Sequence, residues 1–131
     1  MNDADLPHLV IGACMNVHRA LGPGLTRDAY DECLAIELRQ LEFDFKRGVP
    51  LEFDYHGKRV KTATRLDFIV GGSLLLLVRS QDSIAKLEEQ QLESLLKLSR
   101  LRTGLLVNFN VATLRKGIHQ ITMKRKEQSK E

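Results

Sequence analysis

The residues best placed to do chemistry in this chain are basic. Lys58, Arg59, Lys61 and Arg65 gather around Tyr55-His56-Gly57, a run that reads as a tight turn. Residues an even number apart on a strand share a face, so Lys61 and Arg65 fall in phase. Such a row can hold the phosphates of a nucleic acid, and it can equally guard an exposed strand against pairing with another chain. The other reactive types form no constellation. His8, His18, His56 and His119 lack the short spacing of metal ligands. Cys14 and Cys33 have no neighbouring histidine and read as small hydrophobes on helical faces. Gly22-Pro23-Gly24 lacks the lysine and following Ser or Thr of a phosphate-binding loop, and no serine elbow is present. The five Phe and two Tyr are not interleaved with the basic residues, which argues against a stacking platform for single strands.

The elements that must position these groups follow from periodicity. Leu6, Val10, Ala13, Cys14, Val17 and Leu21 recur every three or four residues, predicting a helix over about 6–21 that Gly22-Pro23-Gly24 stops. A second helix is expected over about 26–41, with Thr26 as its N-cap. Period-two alternation then takes over at Phe43/Phe45 and at Leu51/Phe53/Tyr55. A strand over 60–70 and a Gly71-Gly72 turn into 73–79 complete a three-stranded meander. Helical spacing returns over 83–101, 103–109 reads as a strand buried on both faces, and 118–123 reads as a last edge strand. The order predicts an α/β sandwich around a mixed sheet.

With 131 residues, 43% of them hydrophobic and 28% charged, the chain suits one folded domain and not a disordered or collagen-like polymer. Its net charge of +3 is unevenly placed. Arg115–Glu131 carries six basic and two acidic residues, net +4, so residues 1–114 sum to −1. We therefore expect a single domain over 1–123 and a charged tail over 124–131. The acidic start, Met1-Asn2-Asp3-Ala4-Asp5, lacks the basic region of a signal peptide. The most apolar run, 66–78, contains Asp67, Gly71, Gly72 and Ser73 and is too short to cross a bilayer of ~30 Å. The expectation is a cytoplasmic protein with no membrane partner.

One longer pattern remains. Val17-His18-Arg19-Ala20-Leu21-Gly22-Pro23-Gly24-Leu25, then Tyr30 and Glu32-Cys33-Leu34-Ala35-Ile36-Glu37-Leu38, resemble a family named for its Gly-x-x-Glu-x-x-Tyr motif, within the PD-(D/E)XK nuclease superfamily. The similarity continues through Val49-Pro50-Leu51, Tyr55-His56-Gly57, Arg65-Leu66-Asp67-Phe68-Ile69-Val70, Gln91, Leu96-Lys97-Leu98 and Gly104-Leu105-Leu106-Val107-Asn108-Phe109-Asn110. It covers about residues 9–121. The resemblance implies a restriction-endonuclease-like core, α-β-β-β-α-β, with a mixed central sheet flanked by helices.

It also implies a site. In active members a helix glutamate, a strand aspartate and an acidic-x-lysine pair on the next strand surround Mg²⁺, a hard cation that takes oxygen ligands and activates water. Carried onto this chain, Gly24 and Tyr30 match the motif, but Arg27 stands at its glutamate. Asp67 is the one ligand position retained, and Leu77 and Arg79 stand where the acidic residue and lysine belong. Gln91 matches a helical glutamine, with Glu88 where many relatives have histidine. We therefore expect no catalytic residue, no metal ligand set and no cofactor. Fixed guanidinium charge from Arg27, Arg79 or both is expected to pair with Asp67. The alternatives are that Arg27 points to solvent, or that Asp28 or Asp31 has replaced the lost carboxylate. Tyr30 is expected in the core with its hydroxyl at the site edge, and Gln91 either touches phosphate or bridges helix and sheet.

The function these readings imply is non-hydrolytic binding of DNA or RNA through phosphates, by Arg27, Lys61, Arg65, Arg79 and Gln91. The competing readings are a Mg²⁺-dependent nuclease with relocated carboxylates, and a protein-interaction or homo-oligomeric scaffold indifferent to nucleic acid.

Overall fold

The apolar spacing at the start of the chain builds a helix whose buried face is Leu6, Val10, Ala13, Cys14 and Val17. This helix, α1, runs Leu6–Leu21 and ends where Gly22, at φ 77°, returns its N–H to the His18 carbonyl at 2.8 Å. The computed structural model describes residues 5–124. The expected tail therefore lies, apart from Lys124, outside the described residues, as do residues 1–4. Helix α2 spans Arg27–Gln40 and buries Tyr30, Leu34, Ala35 and Leu38, together with one carboxylate, Asp31. Thr26 stands at its N-cap in extended backbone conformation, but its hydroxyl donates to the Asp28 carboxylate and its oxygen caps no helix N–H.

Strands β1 (Phe45–Tyr55), β2 (Lys58–Val70) and β3 (Leu74–Arg79) form the meander, α3 covers Lys86–Ser99, and β4 (Thr103–Asn108) and β5 (Ile118–Thr122) complete the sheet. Strand order is β1-β2-β3-β4-β5, with β3 and β4 parallel and all other neighbours antiparallel. The mixed sheet and its flanking helices match the expected α/β architecture. The β3–β4 pair needs a crossover, and α3 supplies it.

Two cores result. On one face α1 and α2 pack with Phe68, Leu76, Val78, Leu105, Val107 and Phe109. On the other, α3 packs with Leu51, Leu66, Leu75, Leu77 and Leu106. Strand β3 is buried from Leu74 to Val78 and divides its side chains alternately between the two, which explains its unbroken leucine run. Helix α3 lies close against β4 because residue 104 is glycine. A Cβ there would meet Leu92 Cδ1 at 2.8 Å and Leu96 Cδ1 at 3.0 Å. Cys14 and Cys33 are free; burial pushes the Cys14 thiol up to about 12, so it behaves as a small hydrophobe. No described helix is long and apolar enough to cross a membrane.

Candidate functional site

The β2–β3 ladder is short, running only from Val70↔Leu74 to Phe68↔Leu76, while β3 continues to Arg79 beside β4. Where β2 leaves, its chain also changes layer: Leu66 and Phe68, two residues apart, belong to opposite cores. Asp67 sits at that crossing, its side chain 9% exposed. Oδ2 accepts the Val78 backbone N–H at 2.9 Å, an acceptor the departing strand no longer offers, and Arg79 Nη1–H at 3.2 Å. Arg27, the first residue of α2, brings Nη2 to 3.4 Å from Asp67 Oδ1. Its Nε–H donates to Asp31 Oδ2, four residues along the same helix, at 3.2 Å.

The chain of charges continues toward α3. Arg79 Nε lies 3.6 Å from Glu88 Oε1, and Glu88 Oε2 accepts from Gln81 Nε2 at 2.7 Å. Gln81 is itself clamped by buried Asn108, whose amide exchanges hydrogen bonds with the Gln81 backbone N–H and carbonyl at 3.1 and 2.9 Å. Two guanidiniums thus face three carboxylates along one end of the sheet. Asp31 Oδ1 and Glu88 Oε1 are buried without a hydrogen bond among the described residues.

Against the alternatives left open by the sequence, Arg27 does not simply point to solvent. Its side chain is 46% exposed, yet it touches both Asp31 and Asp67. Asp28 is exposed and held below the usual carboxylate range, first by the Thr26 hydroxyl. Asp31 is the carboxylate turned into the cluster. Leu77 is fully built into the α3-side core. Tyr30 is a core aromatic stacked on Phe109 at 4.6 Å, but its hydroxyl serves the α1–α2 connection. It donates to Gly22 O at 2.6 Å and accepts from Leu25 N–H at 3.2 Å. Gln91 is exposed on α3, one turn beyond Glu88, and forms no hydrogen bond to helix or sheet among the described residues, so the bridging role is corrected. Lys61 is exposed, and exposed Arg65 donates to Gly48 O at 3.2 Å. Across the register shift between Pro50 and Glu52, Arg65 pairs with Pro50 and Lys61 with Glu52, two residues apart on β1, so Lys61 and Arg65 keep the common face expected for them.

Sequence reasoning missed Glu88 as the partner of Arg79, and the Gln81–Asn108 clamp. The Arg27–Asp31 pair had an i,i+4 signal available. Burial raises the Asp31 carboxyl above its ordinary value, against the pull of Arg27, and the neighbouring Asp67 charge adds to the rise. A folded state that holds its proton more tightly than the unfolded chain loses stability as pH climbs from the ordinary carboxylate value through the raised one. We expect Asp31→Asn to remove this loss, so that wild type gains on the variant as pH falls from neutral toward 4. Urea midpoints of both proteins over that range check it; a flat difference curve contradicts the assignment.

With the strand order, the crossing at Asp67 and the flanking helices in view, comparison with known proteins is decisive at the family level. A sequence model of the PD-(D/E)XK nuclease superfamily matches residues 4–121. The chain belongs to the PD-(D/E)XK nuclease superfamily. No curated protein and no solved structure matches it. The superfamily implies a divalent cation, and the donors present here do not fit one. Asp67 Oδ1 faces a guanidinium, and Oδ2 faces a guanidinium and a backbone N–H. Leu77 offers no oxygen. Among the described residues no group of three or more His, Cys, Asp or Glu is placed to hold a metal ion. A PD-(D/E)XK site of this composition would set a cation against two fixed positive charges, which repel it.

Charge elsewhere in the PD-(D/E)XK domain is polarised. Residues 1–44 carry three basic and eight acidic residues, net −5, whereas the β1–β2 segment 45–65 carries six basic and two acidic, net +4.

Proposed function

We propose that this protein has a degenerate Gly-x-x-Glu-x-x-Tyr site on the PD-(D/E)XK fold and serves as a non-hydrolytic nucleic-acid-binding module. One observation carries the first half of this reading: Arg27 and Arg79 converge on the single retained carboxylate, Asp67, at 3.4 and 3.2 Å. Phosphodiester hydrolysis needs a hard cation and an activated water, and these positions offer fixed guanidinium in their place. The second half is supported by the basic β1–β2 segment and by family membership. Lys61 and Arg65 act as phosphate contacts in this reading, with the exposed edge of Arg27. Arg79, 20% exposed and flanked by Asp67 and Glu88, contributes less, and Gln91 lies on the α3 surface.

Binding through phosphates releases counterions, so affinity should be sequence-independent and fall steeply with salt. For a footprint of about three phosphates, raising salt from 50 to 200 mM should weaken duplex binding roughly 40-fold. Gel-shift titrations with labelled DNA and RNA, with and without Mg²⁺, measure this. Shifts without cleavage support the reading. Mg²⁺-dependent cleavage of plasmid or RNA removes its first half, and failure to shift either polymer at low salt removes its second.

A further inference from the structure

The β1–β2 hairpin is longer than the sheet that supports it. Its ladder continues through Glu52↔Lys61, Phe53↔Val60, Asp54↔Arg59 and Tyr55↔Lys58, whereas β3 pairs with β2 only at residues 68–70. The outer part is a two-stranded ribbon projecting from the domain. His56 and Gly57, at φ 49° and 76°, close it in a two-residue turn whose twist matches the strands, so the tip has a defined shape.

Cross-strand pairing sorts the ribbon into two unlike faces. One carries Glu52, Asp54, Arg59 and Lys61. There Arg59 is held by Asp54 at 3.1 Å and approaches Glu52 at 3.5 Å. The other carries Phe53 and Val60, half-buried toward the core, and then Tyr55 opposite Lys58. Tyr55 is 63% exposed, and the His56 ring stands edge-on to it with centroids 4.4 Å apart. Lys58 and Lys61 are exposed and have no carboxylate partner among the described residues. The sequence expectation that aromatics and cations stay apart is corrected here, because the turn brings Lys58 beside Tyr55.

An exposed ring costs solvation and is an ordinary liability at a loop tip. Beside the exposed Lys58 ammonium on the basic β1–β2 segment, it has a specific complement. We propose that the tip of this ribbon is a contact for single-stranded nucleic acid, with an unpaired base stacking on Tyr55 and its flanking phosphate on Lys58, the cation that shares the Tyr55 face. The inference rests on the nucleic-acid reading above and deepens it by naming the strandedness of the ligand and the residue that senses it. A base in a duplex has both faces covered by neighbours and cannot stack on the ring, whereas every unpaired base can.

The test uses the full chain, a fluorescein-labelled 20-nucleotide oligothymidine, its RNA counterpart, and a 20-base-pair blunt duplex, all at low salt. Tyr55→Ala should weaken single-strand binding about 10-fold, leave duplex binding within 2-fold, and preserve the slope of affinity against salt. Tyr55→Phe, which keeps the ring, should bind as wild type. Lys58→Ala with Lys61→Ala should weaken both ligands and flatten the salt slope. Because Tyr55 is exposed, thermal melts of the variants should overlay the wild type and exclude misfolding.

If wild type and Tyr55→Ala bind single strands equally well, the stacking contact is wrong while the broader reading stands. If wild type binds neither polymer, the broader reading falls and takes this inference with it. If Tyr55→Ala changes the sedimentation of the free protein and not its affinity, the tip meets a second copy of the chain, which also overturns the proposal.

Discussion

Replacing Asp67 by alanine is expected to lower the unfolding free energy by about 3 kcal/mol. The substitution removes the acceptor of the Val78 backbone N–H and the counter-charge of Arg79. An orphaned buried N–H alone costs about 1–3 kcal/mol. Arg79 is left beside Glu88 only, at 3.6 Å. Arg27, nearly half exposed, is rehydrated more cheaply, so its share is discounted. Asp67→Asn keeps an oxygen for Val78 but not the charge, and should cost about half as much. Urea unfolding of the two variants separates the backbone contribution from the ionic one. A loss below ~1 kcal/mol for Asp67→Ala would place Asp67 among ordinary surface ion pairs.

The second large effect concerns metal. Leu77→Glu alone places a carboxylate in a core of Leu66, Leu75, Leu92, Leu95 and Leu96, and should destabilise the fold by roughly 3–5 kcal/mol. Combined with Arg27→Glu and Arg79→Lys, the same change assembles three carboxylates and one lysine where two guanidiniums now stand. That triple variant should be less stable than wild type without metal and should regain stability with Mg²⁺. At a free concentration of 100 Kd the recovery is about 2.7 kcal/mol, a rise in Tm of about 10 °C for a domain of this size. Thermal melts with Mg²⁺ against EDTA report it directly, and wild type should show no comparable rise. A triple variant indifferent to Mg²⁺ would show that a metal site in this fold needs more than these three side chains. Turnover is a separate question, since a bound cation still needs substrate and water aligned with it.

The helices and the strand order were legible because each rests on a local pattern. The α1 stripe from Leu6 to Leu21 and its Gly-Pro-Gly stop define both ends of that helix. The Gly71-Gly72 turn announces strand β3, and the apolar run 103–109 announces a strand covered on both faces. Strand β1 was harder. The alternation at Phe45 and again at Leu51, Phe53 and Tyr55 suggests two pieces, but a single strand passes through both. Gly48, at φ 60°, lies where β1 passes from the core that packs Phe45 to the one that packs Val49, and the pairing with β2 continues through it.

The site divides the same way. Asp67, Arg27, Leu77 and Arg79 were readable as positions through family resemblance. Their partners depend on where remote segments meet. Glu88 is nine residues beyond Arg79, across a loop and the first turn of α3, and no spacing rule connects them. Tyr55 was passed over because its exposure depends on how far the hairpin outruns the sheet, which no local pattern gives.

The charges that neutralise Asp67 differ from Mg²⁺ in one respect with cellular weight. They are tethered to the backbone and cannot dissociate. A metal-filled carboxylate site empties when the cation is scarce, and its loop geometry then becomes a function of the surrounding ion pool. Arg27 and Arg79 are present at a constant local concentration, so this end of the sheet holds one shape across the range of magnesium levels a cell passes through. In the proposed binding role, that constancy leaves affinity set by bulk salt and not by the magnesium pool.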